Sequence, residues 1–481
     1  MSPTPSSLRR VLVALLVALG VALGPAACGG PAPAGVDLRV GTAAGTWTLA
    51  GLARTALSPA LAARRDALLA EVPWQPLGGA SEDRPEAPRL LVHGDRVLND
   101  ELLAAGLALG HVPVTTASGA PLDPNAAAAR LALVRAAREA RAGLWGEVPA
   151  PRPLVLPLAG VALPLHHKDP RADYDRELDE LVALGARWVN LVVATRQADV
   201  GATEVPLESD RTPPDARIVA TIRAARERGL GVQLMPIVLL VDAGPDDWRG
   251  TLDPTDRGAW WRSYARFLGH MADLAREGGA DVLCIGSELC SMEADEDAWR
   301  RLAADLRLRF AGALTYSANW DHYATVPFWD ALDLAQMTGY FEVCRQTSFG
   351  GPGDRYATRE ACLRAGWRGA RAELRRLEVV SGLPSVFSEV GVPSVEGALA
   401  QPWNYTLDGD PDPEAQRAAF ATFREVFTPG GEPRLDGLFL YDYWGEGGPD
   451  DRTYTARGKP ALEEWRALLA DLAAAAEEPD R

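Results

Sequence analysis

The stretch Leu158-Ala159-Gly160-Val161-Ala162-Leu163-Pro164-Leu165 is a short apolar run. After it come Tyr174-Asp175-Arg176-Glu177-Leu178-Asp179-Glu180-Leu181-Val182-Ala183-Leu184 and then Trp188-Val189-Asn190-Leu191-Val192-Val193. The middle segment carries apolar residues at i, i+3 and i+4, the spacing of an amphipathic helix. Apolar run, helix, apolar run is the pattern of a parallel sheet with a crossover helix. The same alternation continues through Gly231–Leu240, Val282–Gly286, Leu314–Ser317, Leu332–Thr338, Ser385–Phe387 and Gly437–Tyr441. Eight such runs predict a (β/α)8 TIM barrel over residues 158–475, preceded by a Pro-rich linker over 147–157. That span is longer than the roughly 250 residues typical of the fold but inside its range.

In such barrels the reacting groups project from the C-terminal ends of the strands. The fourth run leads into Ser287-Glu288-Leu289 and the seventh into Ser388-Glu389-Val390. A carboxylate at the end of an apolar strand costs free energy unless it has a partner or a task. Three βα units apart, the two face each other across the mouth, where retaining glycosidases need one protonated and one ionised carboxyl group about 5–5.5 Å apart. Asn319 and Trp320 follow the fifth run, Tyr340 the sixth and Trp444 the eighth. Aromatic faces beside polar groups suit sugar rings, which are apolar on their C–H faces and polar at their edges. Trp260, Trp261, Trp299 and Trp465 lie in helical stretches and read as packing.

The ordered motifs Leu163-Pro164-Leu165-His166-His167, Trp248-Arg249-Gly250, Ile285-Gly286-Ser287-Glu288-Leu289, Tyr316-Ser317-Ala318-Asn319-Trp320-Asp321, Val326-Pro327-Phe328-Trp329-Asp330 and Phe387-Ser388-Glu389-Val390-Gly391 resemble glycoside hydrolase family 113. The resemblance runs along nearly the whole barrel. It implies a retaining endo-β-1,4-mannanase, with Glu288 as acid/base, Glu389 as nucleophile and Trp444 as the platform under the reacting sugar. Asn319 and Tyr340 would be polar contacts near the reacting centre. Two positions depart from the pattern: Ser287 stands where the clan usually has Asn, and Thr338 where family members often have Asp. Both changes bear on sugar recognition more than on bond cleavage.

His166 and His167 follow the first strand and are candidates for substrate hydrogen bonding. No HExxH or Cys/His ligand spacing accompanies them, so neither a metal nor a cofactor is expected. Arg196 and Asp199 either border the groove or form a rim ion pair. Cys344 and Cys362 lie within one βα connection and could form a disulfide in an oxidising compartment; Cys284 reads as a buried strand residue.

Residues 37–146 differ in pattern. Short β-like runs (Leu38–Val40, Trp47–Leu52, Arg89–His93) precede an Ala-rich helical region. The segments Leu98-Asn99-Asp100-Glu101-Leu102-Leu103-Ala104-Ala105-Gly106-Leu107-Ala108 and Ala136-Ala137-Arg138-Glu139-Ala140-Arg141-Ala142-Gly143-Leu144-Trp145-Gly146 resemble the staphylococcal nuclease family, a small OB-type barrel with packed helices. Ala43, Gly45 and Ala53 fall at that family's acidic positions, Thr48 at the first Arg and Ala56 at the Glu. Without carboxylates to hold a hard cation, this domain is expected to be degenerate, a binding or spacer module rather than a nuclease.

Ahead of it, Arg9 and Arg10 precede the apolar run Val11–Leu23 and then Pro25-Ala26-Ala27-Cys28. A basic stretch, a short apolar core and a small-residue cleavage site describe a secretory signal, here over residues 1–27. The Ala-Ala-Cys ending resembles a lipobox, which implies lipidation of Cys28, a tether over 28–36 and a membrane-anchored envelope protein. Net charge −16, from 49 basic and 65 acidic side chains, argues against a nucleic-acid partner. An acidic tail over 476–481 closes the chain. The expected partner is a β-linked polysaccharide or oligosaccharide. The competing reading is a non-catalytic carbohydrate-binding or envelope-scaffold lipoprotein.

Overall fold

The computed structural model describes residues 37–42, 45–53, 57–77, 90–110, 124–148, 150, 153–166, 173–428 and 435–477. The signal segment, Cys28 with its tether, His167 and the end of the acidic tail lie outside the described residues. The chain divides into two compact units, residues 1–150 with 295–311, and residues 151–294 with 312–481.

In the second unit eight parallel strands close into a barrel: β1 (Leu158–Pro164), β2 (Trp188–Gln197), β3 (Gly231–Leu240), β4 (Val282–Ser287), β5 (Ala313–Ala318), β6 (Leu334–Thr338), β7 (Ser385–Val390) and β8 (Gly437–Leu440). Pairing of Gly437 with Leu158 through Leu440 with Val161 joins the last strand to the first. Every residue of β1, β4, β5, β6, β7 and β8 is buried, as expected for strands covered on both faces. The connecting helices begin and end where local chemistry dictates. Leu178, Leu181 and Leu184 are the buried stripe of α1 (Asp175–Leu184), which stops at Gly185 in a left-handed conformation. After α2 (Asp215–Glu227), helix α3 (Arg257–Gly278) starts at Asp256, whose side chain accepts from the Ala259 N–H.

The sequence pattern implies eight βα units, and at one of them the structure differs. Between β5 and β6 the chain makes only two 3-10 turns, Tyr323–Thr325 and Trp329–Ala331. Pro327 sits between them, lacking the N–H a continuous helix would need.

The barrel interior changes character along its axis. At the N-terminal end Leu158, Trp188, Val282, Ala313, Leu334, Val386 and Phe439 form an apolar layer. Above it Gln233 of β3 and Gln336 of β6 exchange hydrogen bonds of 3.2 and 2.8 Å, and the hydroxyls of Ser317 and Ser388 lie 2.6 Å apart. These buried polar groups are paired with one another, which removes the cost of taking them out of water. The C-terminal end carries the carboxylates.

In the first unit, Asp37–Thr42 pairs antiparallel with Gly45–Ala53, which also pairs with Leu109–Gly110; Gln75–Pro76, Leu91–His93 and Arg96–Val97 form a separate sheet. Among the described residues these are two three-stranded sheets, not one closed OB barrel. Leu49, Trp74, Leu91, Leu98, Leu102 and Leu103 make the core. The two helical motifs singled out in the sequence meet here. The Leu144 N–H donates to the Gly106 carbonyl, and a Cβ on Gly143 would come within 2.3 Å of that same oxygen. Only glycine permits this approach, at φ 54°.

Candidate active site

Glu288 follows the last residue of β4. Its N–H donates to the Ser317 carbonyl of β5, and its backbone is left-handed (φ 52°). Apart from Arg141 it is the only non-glycine residue with positive φ among the described residues. Such a conformation costs of order 1–3 kcal/mol and concentrates at functional sites. The side chain is clamped from two sides. Arg249, in the 3-10 turn after β3, donates from Nη2 to Oε2 at 2.5 Å, and Thr338 at the end of β6 donates its hydroxyl to Oε1 at 2.9 Å. The Thr338 hydroxyl in turn accepts the Trp320 N–H at 3.2 Å.

Glu389 lies inside β7, in register with Thr338. Its carbonyl accepts the Gly339 N–H, and its Oε2 accepts the Tyr340 hydroxyl at 2.6 Å. Burial and the neighbouring charge of Glu288 push the Glu389 carboxyl up to about 7, while Arg249 and the Tyr340 hydrogen bond pull the other way. A third acid, Asp442 just beyond β8, is raised to about 7 by burial and by Glu389.

The aromatic candidates form two groups. Tyr340 packs edge-on against Tyr441 and Tyr454, with ring centres 6.0 and 5.8 Å away. Trp320 stacks on Trp403 at 6.0 Å and tilts against Phe341 at 5.2 Å. Trp444, half-buried beyond β8, packs edge-to-face with His166 beyond β1 at 5.0 Å. Asn319 Oδ1 and Ser287 Oγ are buried without a hydrogen-bond partner among the described residues, so each has a bond to offer an incoming hydroxyl group.

Two residues with a direct grip on Glu288 were not assigned that part from sequence. In the sequence Arg249 stands in the Trp-Arg-Gly motif with no evident role, and Thr338 differs only by standing where Asp is usual. Their signal was position: each ends or follows a barrel strand next to the mouth. The remaining candidates settle as structure. Arg196 pairs with Asp210 at 2.9 Å and not with Asp199, which caps its own turn at Gly201. Cys344 and Cys362 form a disulfide. Trp260, Trp261, Trp299 and Trp465 are buried packing residues.

A closed (β/α)8 barrel with a buried carboxyl pair at the ends of β4 and β7 defines a glycoside hydrolase. The model of Glycoside Hydrolase Family 113 matches residues 166–457, more than half of the chain, and the protein belongs to that family. Among solved structures, the GH113 β-mannanase AaManA from Alicyclobacillus acidocaldarius, in complex with ManMIm, is 26% identical. The match covers 66% of this chain and 98% of that one, with a TM-score of 0.56. A second GH113 β-1,4-mannanase, also a complex, has the same TM-score at 23% identity, covering 66% of this chain and 99% of its own. A search of the curated proteins found no match.

Proposed function

We propose that the protein is a retaining glycosidase that cleaves β-1,4-mannan or a closely related β-linked polysaccharide, with Glu288 as acid/base and Glu389 as nucleophile. The observation that carries this reading is the pair of buried carboxyl groups, Glu288 and Glu389, at the ends of β4 and β7, near enough for the charge of one to raise the pKa of the other. Glu389 attacks the anomeric carbon as the bond to the leaving oxygen breaks and Glu288 delivers its proton to that oxygen. Water, deprotonated by Glu288, then attacks the glycosyl ester and frees Glu389 as a carboxylate. In the resting site Arg249 and Thr338 hold the Glu288 carboxyl group. To reach the leaving oxygen, Glu288 must let go of Arg249 as sugar binds. Mannan is favoured because the structurally similar GH113 enzymes are β-mannanases. With Thr338 committed to Glu288, Ser287 and Asn319, whose side-chain oxygens lack a partner among the described residues, are the groups left to read the sugar hydroxyls; Trp444, Trp320, His166 and His167 are the other proposed sugar contacts.

In the same proposal Cys28 carries a lipid that tethers the enzyme to the cell envelope. The first unit, a degenerate nuclease-like module, then holds the barrel away from the membrane or binds polymer. Among the described residues no helix is long and apolar enough to cross a membrane.

The test is to incubate a soluble fragment starting at Asp37 with β-mannan, glucomannan, xylan and β-glucan. New reducing ends are measured, and the anomer first released is identified by NMR. Release of the β-anomer from mannan, absent in Glu389→Gln, is the expected result. Release of the α-anomer would overturn the retaining mechanism. Binding of a polymer without cleavage would favour the non-catalytic lipoprotein.

A further inference from the structure

Behind the Glu288 turn lies a second cluster that the glycosidase chemistry does not use. Cys290 and Glu293 come from the 3-10 turn Cys290–Met292 and the residue after it, and His322 from the connection that follows β5. One ligand atom from each (a thiol sulfur, a carboxylate oxygen and an imidazole nitrogen) lies within 4.8 Å of the other two. We propose that these three side chains bind a borderline-soft divalent cation, zinc(II) by chemistry, with water completing the coordination.

Three observations support this assignment. The donor set mixes sulfur, nitrogen and oxygen, which suits zinc far better than the hard cations that demand oxygen alone. The carboxylate is held in place by an outer partner. The Tyr316 hydroxyl donates to Glu293 Oε1 at 2.8 Å while accepting the Leu289 N–H, which leaves Oε2 turned toward His322 Nδ1 at 3.0 Å. Metal sites use outer hydrogen bonds of this kind to orient their ligands. Finally, the Cys290 thiol lies in the negative field of Glu293, Glu288 and Asp321. A dication there relieves the mutual repulsion of those carboxylates. Glu293 is almost wholly buried and His322 half-exposed, so the site has a fixed floor and an open side for entry.

The cation would tie the turn that follows Glu288 to the chain that follows β5. It takes no part in the chemical step, so its test is independent of catalysis. Cobalt(II) added to the reduced, chelator-stripped protein should bind one per chain and give the intense near-ultraviolet thiolate-to-metal charge-transfer band. Zinc(II) should displace it, with an affinity on the order of micromolar or tighter. Zinc should also raise the melting temperature in a concentration-dependent way, because a ligand of the native state stabilises it by mass action. Cys290→Ser should abolish the band, and His322→Gln, at a half-exposed position, should weaken cobalt binding at least tenfold while the circular dichroism stays unchanged. No charge-transfer band in the wild type, or a band that survives Cys290→Ser, would overturn the assignment. If Cys290→Ser misfolds, the wild-type titration and His322→Gln still decide the matter.

Discussion

At the end of β4 the chain leaves the strand through a left-handed glutamate, whereas at the end of β7 the glutamate stays inside the strand, at a register shift against both β6 and β8. Glu288 is gripped by a guanidinium and a hydroxyl from the loop after β3 and the end of β6. Glu389 has one hydrogen-bond donor, Tyr340, and owes its raised pKa to burial and to its neighbour. One carboxylate is thus held by two side-chain donors, the other by burial and a single hydroxyl donor. Under the proposed mechanism, an acid/base that must exchange a proton twice per cycle benefits from the first arrangement, and a nucleophile that must hold a reproducible line of attack benefits from the second. The contrast is physical and can be broken by substitution.

The largest effect is expected from the carboxylates themselves. Glu389→Gln should lower kcat on polymer by about 10^4-fold or more, because no other group forms the covalent bond. Glu288→Gln should lose about 10^2–10^4-fold on polymer. On aryl glycosides with good leaving groups, which need little protonation, it should stay much closer to wild type. Equal losses for the two variants on both substrates would erase the distinction between the strand ends. Next comes Tyr340→Phe. It removes a charge-assisted hydrogen bond of about 1.5–3 kcal/mol, so steady-state kinetics should show kcat/KM falling roughly 10–100-fold with the fold intact.

Arg249→Met should move the pH profile more than the rate at its optimum. The guanidinium lowers the Glu389 pKa. Without it Glu389 holds its proton to higher pH. The acid limb of kcat/KM should then rise by roughly one pH unit. An acid limb that stays in place would show that Arg249 only braces the turn.

Much of this comparison was legible in the sequence. Apolar runs of strand length separated by an amphipathic stretch specify a βα unit, and a carboxylate ending such a run has no reason to be there in a purely structural barrel. Glu288, Glu389 and Tyr340 were therefore visible, and so was the packing role of the helical tryptophans. The clamp on Glu288 was not. Arg249 and Thr338 reach it from chain 39 residues before and 50 residues after. No local periodicity encodes which side chain will bend across a barrel mouth. The missing fifth helix was hidden because apolar Val326, Phe328 and Trp329 imitate a helical stripe until Pro327 is weighed against them. In the first unit the glycine pair at 106 and 143 was quoted in two motifs, yet their mutual backbone approach appears only in three dimensions.

The smallest effect, on stability, separates the two glutamates by sign. The Glu389 carboxyl is raised in the folded chain to about 7 from an ordinary value of 4.5. Its favourable contribution is therefore fully present below the ordinary value and is lost as pH rises through 7, where the folded state must hold a buried charge. Glu389→Gln removes that charge and should melt a few degrees above wild type at pH 8, with the gain gone by pH 4. Glu288→Gln does the reverse, because it leaves the largely buried Arg249 guanidinium, 19% exposed, without its counter-ion. It should melt several degrees below wild type at pH 8. Thermal melts of the three proteins across that range test the contrast directly. If both variants shift in the same direction at pH 8, the carboxylates are held alike, and the division between a clamped acid/base and a walled nucleophile fails.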